Sequence, residues 1–369
     1  QAQAQRSTAF ALALHQELRK PGGNLFYSPY SISTALTMTY AGTAGSTAQQ
    51  LEQVLGVSPQ AHAALNVIDQ ALNSRGQGQA GKFQLTTANA LFAQRSYPYQ
   101  APFLGTLARY YGAGLRPVDF AEAPEAARGV INGWVSRRTE ARIPELLPQG
   151  AVTSDTRLVL TNAVYFKAAW LYPFEKTATM EGQWKGEAGP LRAPLMQRRA
   201  NFGYASDAGV DIVELPYQGD EVSLIVLAPP AGQLGTFDQG LTEPRLSGLL
   251  GKLRRTDIQL TLPKFQVKSA PRLKEALVTL GVRDAFAPGV ADLSGMDGTR
   301  RLYVQDVVHK AVIDLNEDGT EAAAATGVVI GVVSVPPAVV IDRPFVYLIR
   351  DRQTGAVVFV GRLVDPRAT

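Results

Sequence analysis

Apolar positions recur at helical spacing in the first part of the chain and with the character of strands later. Ser7 to Leu18 is amphipathic. Ser33 to Tyr40 follows a Ser28-Pro29 start signal, and Ser46 to Leu55 opens on Ser-Thr and closes at Gly56, a good pair of helix caps. Phe83 to Phe92 reads as a strand, Glu125 to Thr139, which contains Trp134, as a helix, and Thr156 to Trp170 as a long strand. Strands then dominate, over Asp211 to Leu215, Val222 to Leu227, Asp257 to Leu262, Leu302 to Asp314, Phe345 to Asp351 and Ala356 to Leu363. Helices first and strands later predict an α+β architecture with large antiparallel or mixed sheets.

One segment asks for two local structures at once. Thr320 to Ala325 joins an N-capping residue and a carboxylate to a run of the best helix former, whereas Val328 to Val335 is β-branched and strand-seeking. Read with a period of two, Thr320, Ala322, Ala324, Thr326, Val328, Ile330 and Val332 share one uncharged face, with Glu321 opposite. The segment therefore suits insertion into a sheet, yet Gly319, Gly327, Gly331 and Pro336-Pro337 equally suit an exposed loop. The plainer reading is a surface helix leading into an ordinary strand. A conflict of this kind marks strain or function.

Composition narrows the class. Of 369 residues, 46% are hydrophobic and 18% charged, which is ample for a core. The stretches Asn73 to Lys82 and Ala228 to Gly235 are short and read as surface loops, so one domain over residues 7–367 is expected behind a flexible tail of residues 1–6. The net charge of +4 comes from scattered Lys and Arg, densest at Arg137-Arg138, Arg198-Arg199, Arg254-Arg255 and Arg300-Arg301. No basic stripe interleaved with aromatics is evident, so no nucleic-acid partner is expected. There is no cysteine, which removes disulfides, zinc–thiolate sites and thiol catalysis, and no apolar run long enough to cross a bilayer. The polar start Gln1 to Gln5 is of the kind left after a removed signal peptide, although trimming produces the same end; the expectation is a secreted or periplasmic protein. The lack of cysteines and of N-glycosylation acceptors fits a prokaryotic source.

Catalytic and cofactor motifs fail one by one. Gly76-Gln-Gly-Gln-Ala-Gly81 matches a dinucleotide fingerprint by letter, but it follows a helix and precedes a strand, the reverse of the order that aims a helix N-terminus at a pyrophosphate. There is no nucleophile elbow, Walker loop or zinc-protease helix, and His15, His62 and His309 are dispersed. A triad hidden around His309 competes with the ordinary reading of a satisfied core histidine. No cofactor or metal is expected, and the chain does not read as an enzyme.

Several longer runs carry a resemblance. Asn24-Leu-Phe-Tyr-Ser-Pro-Tyr-Ser-Ile-Ser-Thr-Ala-Leu36, Tyr40-Ala-Gly-Thr-Ala-Gly-Ser-Thr47 and Leu160-Thr-Asn-Ala-Val-Tyr-Phe-Lys-Ala-Ala-Trp170 closely resemble the serpin family. So do Leu215-Pro-Tyr217, Leu262-Pro-Lys-Phe265, His309-Lys310, the run from Glu317 to Thr326, and Asp342-Arg-Pro-Phe-Val-Tyr-Leu-Ile349, in family order over nearly the whole chain. The resemblance implies three β-sheets, about nine helices and an exposed reactive-centre loop at about residues 317–337. It also implies a monomeric suicide-substrate inhibitor that traps a serine protease as a covalent acyl complex. A non-inhibitory carrier or chaperone, cleaved as a substrate, is the alternative.

Carried onto this sequence, the resemblance places the attacked bond at Val333-Ser334, with Val332 or Ile330 as alternatives. It makes Glu317, Gly319, Thr320, Glu321, Ala322, Ala323, Ala324, Ala325 and Thr326 the hinge. Ser28, Ser31, Asn162 and His309 match the polar cluster beneath the point where the central sheet opens, and Trp170, Lys264 and Glu317 the place where the loop first enters. The same residues also read as ordinary core hydrogen bonds and an ion pair. Between Leu315 and Asp342 there is no Lys, Arg or aromatic residue, so a protease with a small apolar primary pocket, elastase-like or subtilisin-like, is the expected target. A polyanion-activation site of the sort some serpins carry near Asn66 to Lys82 would have only Arg75 and Lys82.

Overall fold

The computed structural model describes residues 2–20, 22–75, 83–95, 97–112, 115–320 and 336–368. The helices are α1 (Ala2–Leu18), α2 (Pro29–Tyr40), α3 (Gly45–Leu55), α4 (Ala61–Asn73), α5 (Ala101–Tyr111), α6 (Pro124–Arg138), α7 (Leu234–Gln239), α8 (Glu243–Leu250), α9 (Leu273–Leu280) and α10 (Ser294–Asp297). The strands are β1 (Leu25–Tyr27), β2 (Phe83–Gln94), β3 (Arg116–Val118), β4 (Leu158–Ala169), β5 (Met180–Gly186), β6 (Gly189–Asp207), β7 (Val210–Pro216) and β8 (Val222–Ala228). They continue with β9 (Arg254–Pro263), β10 (Phe265–Ser269), β11 (Val308–Leu315), β12 (Gly319–Thr320), β13 (Ala338–Val340), β14 (Phe345–Asp351) and β15 (Val357–Leu363).

These strands form two hydrogen-bonded ladders. One runs β1-β15-β14-β8-β7-β6-β9-β13 with β5 attached to β6, and the other contains β10, β11, β12, β4, β2 and β3. The first is continuous because β6 is 19 residues long: its beginning pairs with β5 and its end, from Gly203, pairs with β7. Two of the three expected sheets are thereby joined through one strand. Strands β8 and β15 are buried at every position, which explains their unbroken apolar sequence.

Apolar side chains fill the space between the ladders. Val164, Phe166 and Ala168 of β4 and Ala311, Ile313 and Leu315 of β11 pack with Leu224 and Val226 of β8 and Phe345 and Tyr347 of β14. A second cluster joins α1, α2, α3 and α9 to the other side of the large sheet. Burial of this apolar surface is the main favourable term of folding.

Three element boundaries differ from the sequence expectation for identifiable reasons. Helix α1 begins at Ala2, with Ala4 buried, so residues 2–6 extend the first helix where a tail was expected. Helix α2 begins at Pro29 because Ser28 caps it, its hydroxyl accepting from the Ser31 amide, and proline suits the first turn. The expected strand from Leu302 starts only at Val308, where ladder pairing begins.

Candidate functional site

Strands β4 and β11 are parallel neighbours over five positions, from Val308 opposite Thr161 to Val312 opposite Tyr165. Beyond that stretch they part, and β12 enters the fork. It is antiparallel to both, with Thr320 opposite Leu315 on one side and Gly319 and Thr320 opposite Ala169 and Ala168 on the other. The candidate hinge therefore starts inside the sheet.

The mouth of the fork is held by a compact set of contacts. Trp170 Nε1 donates to the Asn316 carbonyl at 2.9 Å, and the indole stacks on Tyr217 with ring centroids 4.5 Å apart. The Tyr217 hydroxyl lies 2.9 Å from Thr320 Oγ1, and both residues are fully buried. Lys264 Nζ reaches Glu317 Oε2 at 2.9 Å, while Thr179 Oγ1 donates to Oε1 at 2.8 Å. Burial by itself would raise the Glu317 pKa; the bonds from Lys264 and Thr179 outweigh it and hold the carboxyl below its ordinary value. Trp170, Lys264 and Glu317 thus lie together at the mouth of the fork. Tyr217 and Thr179 join them, although the sequence pointed to no role for either.

Lower in the same fork sits a buried polar clasp. The alternation of β11 turns His309 inward with Ala311, Ile313 and Leu315. His309 lies opposite Asn162 in the parallel ladder, and the two side chains bond through Nδ1 and Oδ1. The Ser28 amide donates to Nε2 at 3.2 Å, which requires a bare Nε2 and a proton on Nδ1. Burial pushes the His309 pKa down to about 3, so the ring is neutral at physiological pH.

The serines complete the clasp. Ser28 Oγ donates to the Val358 carbonyl at 2.7 Å, and Ser31 Oγ donates to Asn89 Oδ1 at 2.6 Å. Asn89 pairs across the ladder with Asn162, so the group spans β2, β4, β11 and the start of α2. Its membership follows from register between strands about seventy residues apart in sequence, a relation that no local motif carries. Asn162 Nδ2 is buried with no hydrogen-bond partner among the described residues. Among the described residues, the two ring nitrogens of His309 are used by Asn162 and a backbone amide, which is not the arrangement of a catalytic triad.

The family model for serpins, serine protease inhibitors, matches residues 5–366. The chain belongs to the serpin family. The serpin is 38% identical to the leukocyte elastase inhibitor of Bos taurus over 98% of both chains, and 36% identical to that of Homo sapiens, again over 98% of both. It is 33% identical to an uncharacterized serpin-like protein of Thermococcus kodakarensis, covering 97% of this chain and 84% of that one. Among solved structures, uncleaved ovalbumin superposes with a TM-score of 0.88 at 27% identity, covering 98% and 99% of the two chains. Serpin48 of the insect Tenebrio molitor gives 0.87 at 28% identity over 99% and 98%.

Other expected positions of the serpin fall differently. Glu321, Ala322, Ala323, Ala324, Ala325 and Thr326, together with Val333 and Ser334, lie outside the described residues, as does Lys82. Arg75 is committed to internal structure: its guanidinium donates to both oxygens of Asp351, at 2.7 and 3.2 Å, and reaches Glu221 at 3.4 Å. Its side chain is only 7% exposed, which leaves little for a soluble polyanion to bind.

Proposed function

We propose that this serpin inhibits a serine protease irreversibly, as a monomeric suicide substrate. The protease serine attacks the Val333 carbonyl, forming an ester and releasing the amine of Ser334. The cleaved loop then continues β12 into the sheet between β4 and β11, carrying the acylated protease with it before water can hydrolyse the ester.

The observation that carries this reading is the position of Thr320, already paired with both β4 and β11 at the fork. Continuing β12 replaces one parallel ladder by two antiparallel ones, which are slightly more stable per residue and offer further backbone hydrogen bonds, each contributing about 0.5–1.5 kcal/mol net. The uncharged face of Thr320, Ala322 and Ala324 offers no desolvation barrier to that step. Opening also requires the His309–Asn162 bond to break. That clasp also contains Asn162 Nδ2, which is buried without a hydrogen-bond partner among the described residues.

An aliphatic bait centred on Val333 suits a protease with a small apolar primary pocket. The names of the mammalian relatives, leukocyte elastase inhibitors, support the same class of target. The test is to mix the serpin with an elastase-like protease and run a denaturing gel. A covalent complex surviving denaturant is expected; clean cleavage without complex would convert the reading to a non-inhibitory serpin, and fast stable complexes only with a trypsin-like enzyme would overturn the target class.

A further inference from the structure

A cleft of about 320 Å³ opens between α2, α4, the end of α5, β2 and α6. Its walls are charged unevenly. On the α4 wall Asp69 accepts from the Tyr30 hydroxyl at 2.9 Å and from Asn73 Nδ2 at 2.8 Å, with no cation at ion-pair distance among the described residues. On the far wall the guanidinium groups of Arg116 and Arg138 lie over the Trp134 ring, 4.7 and 5.8 Å from its centroid. Neither has a carboxylate at ion-pair distance among the described residues. By sequence these arginines read as scattered surface charge, whereas the fold brings β3 and the end of α6 together around one aromatic face.

We propose that this cleft binds a small zwitterion, a molecule with an ammonium group and a carboxylate or phosphate a few atoms apart. The ammonium faces Asp69, whose bonds from Tyr30 and Asn73 fix its orientation. The anionic group faces Arg116 and Arg138, whose planar forks suit oxyanions and which Trp134 holds in place. Thr34, Thr86 and Asn89 also line the cleft and supply neutral polar groups between the ends. Selectivity comes as much from repulsion as from attraction: a simple cation meets two guanidiniums, and a simple anion meets a carboxylate. The bound molecule would link α4 to α6 across β2. This inference is independent of loop insertion.

The test is calorimetric titration of the intact serpin, without protease, using γ-aminobutyrate and phosphoethanolamine as zwitterions and butyrate and butylamine as the single-charge halves. At least one zwitterion is expected to bind saturably and about tenfold or more tighter than either half, and comparison of the two zwitterions tells carboxylate from phosphate. Asp69→Asn and Arg138→Gln are each expected to weaken that binding about tenfold. Arg137→Gln, altering a residue that lines the neighbouring cleft on Trp134, is expected to leave it unchanged. Absence of saturable zwitterion binding up to about 10 mM, equal binding of a half, or equal loss in the Arg137 variant overturns the proposal. The unmodified protein decides the first two outcomes, so they do not depend on any variant folding.

Discussion

Thr320 Oγ1 sits 2.9 Å from the Tyr217 hydroxyl, which ties the last residue of β12 to the Trp170–Tyr217 stack. The contact joins β12 to a residue at the rim of the other ladder. Tyr217→Phe keeps the ring stack and removes only the hydroxyl, leaving Thr320 Oγ1 buried without this partner. The expected cost is about 1–3 kcal/mol, read as a lower urea midpoint together with faster proteolysis near the hinge. An unchanged midpoint and digestion pattern would show that the bond does not hold the hinge.

Gly319 is required at the fork by space. A Cβ there would collide with the Ala168 carbonyl oxygen and stand 2.8 Å from Ala169 Cα, both backbone atoms of β4 that cannot rotate away. Gly319→Ala is expected to detach β12 and to raise amide exchange at Thr320 by about tenfold or more, since exchange follows local opening. Protection equal to that of the unmodified protein would contradict the close approach.

Much of this site was legible in residues but not in geometry. Asn162 and His309 could be named from motif resemblance, and Ser28-Pro29 announced a helix start. The cross-strand facts were hidden because register is a property of pairs: Asn89 meets Asn162 only when β2 lies antiparallel to β4. Tyr217 was likewise visible within Leu215-Pro-Tyr217, but its partner Thr320 is 103 positions away. The first helix is longer than its sequence suggests because Gln-Ala repeats look like a polar tail until Ala4 is seen buried. Two of the expected sheets run on as one ladder among the described residues because strand length along β6 decides continuity, and alternation alone does not fix where a 19-residue strand ends.

The Glu317–Lys264 pair gives the fork mouth an acid dependence. Glu317 titrates below its ordinary 4.5 in the folded protein, so its contribution to stability is full above that value and is lost as pH falls through the lower folded pKa. Lys264→Met removes the ammonium while keeping much of the apolar stem. The stability gap between the two proteins is expected to be widest near neutrality and to narrow below pH 4.5. A gap that stays constant down to strong acid would exclude the pair as its source.

His309 acts in a higher window. Its ring falls from an ordinary 6.5 to about 3 on folding, so the unfolded chain binds the extra proton first; stability is full above 6.5 and is lost progressively as pH drops toward 3. Across the middle of that range the slope from this one group approaches about 1.4 kcal/mol per pH unit. His62 is also lowered by burial and adds in the same direction. Urea midpoints measured between about pH 6 and 5 are therefore expected to change less in His309→Gln than in the unmodified protein. Equal slopes would mean that the clasp is not titrating.

The decisive variant for the proposed mechanism is Ala322→Arg. In a strand continued from Thr320 with the alternation of the sequence, position 322 would share the uncharged face of Thr320, two residues beyond the last one paired in the fork. Entry of a guanidinium there requires either desolvating a charge, at a cost of several kcal/mol, or stalling the strand at Thr320. Cleavage at the bait does not need that entry, so the protease should still acylate, and the delayed insertion should let hydrolysis win. The expected outcome on a denaturing gel is conversion from covalent complex to cleaved serpin and free, active protease, with the rate of loop cleavage little changed. Persistence of the complex at the unmodified yield would falsify insertion through this fork, because a guanidinium on the inward face at position 322 is incompatible with unhindered entry between β4 and β11.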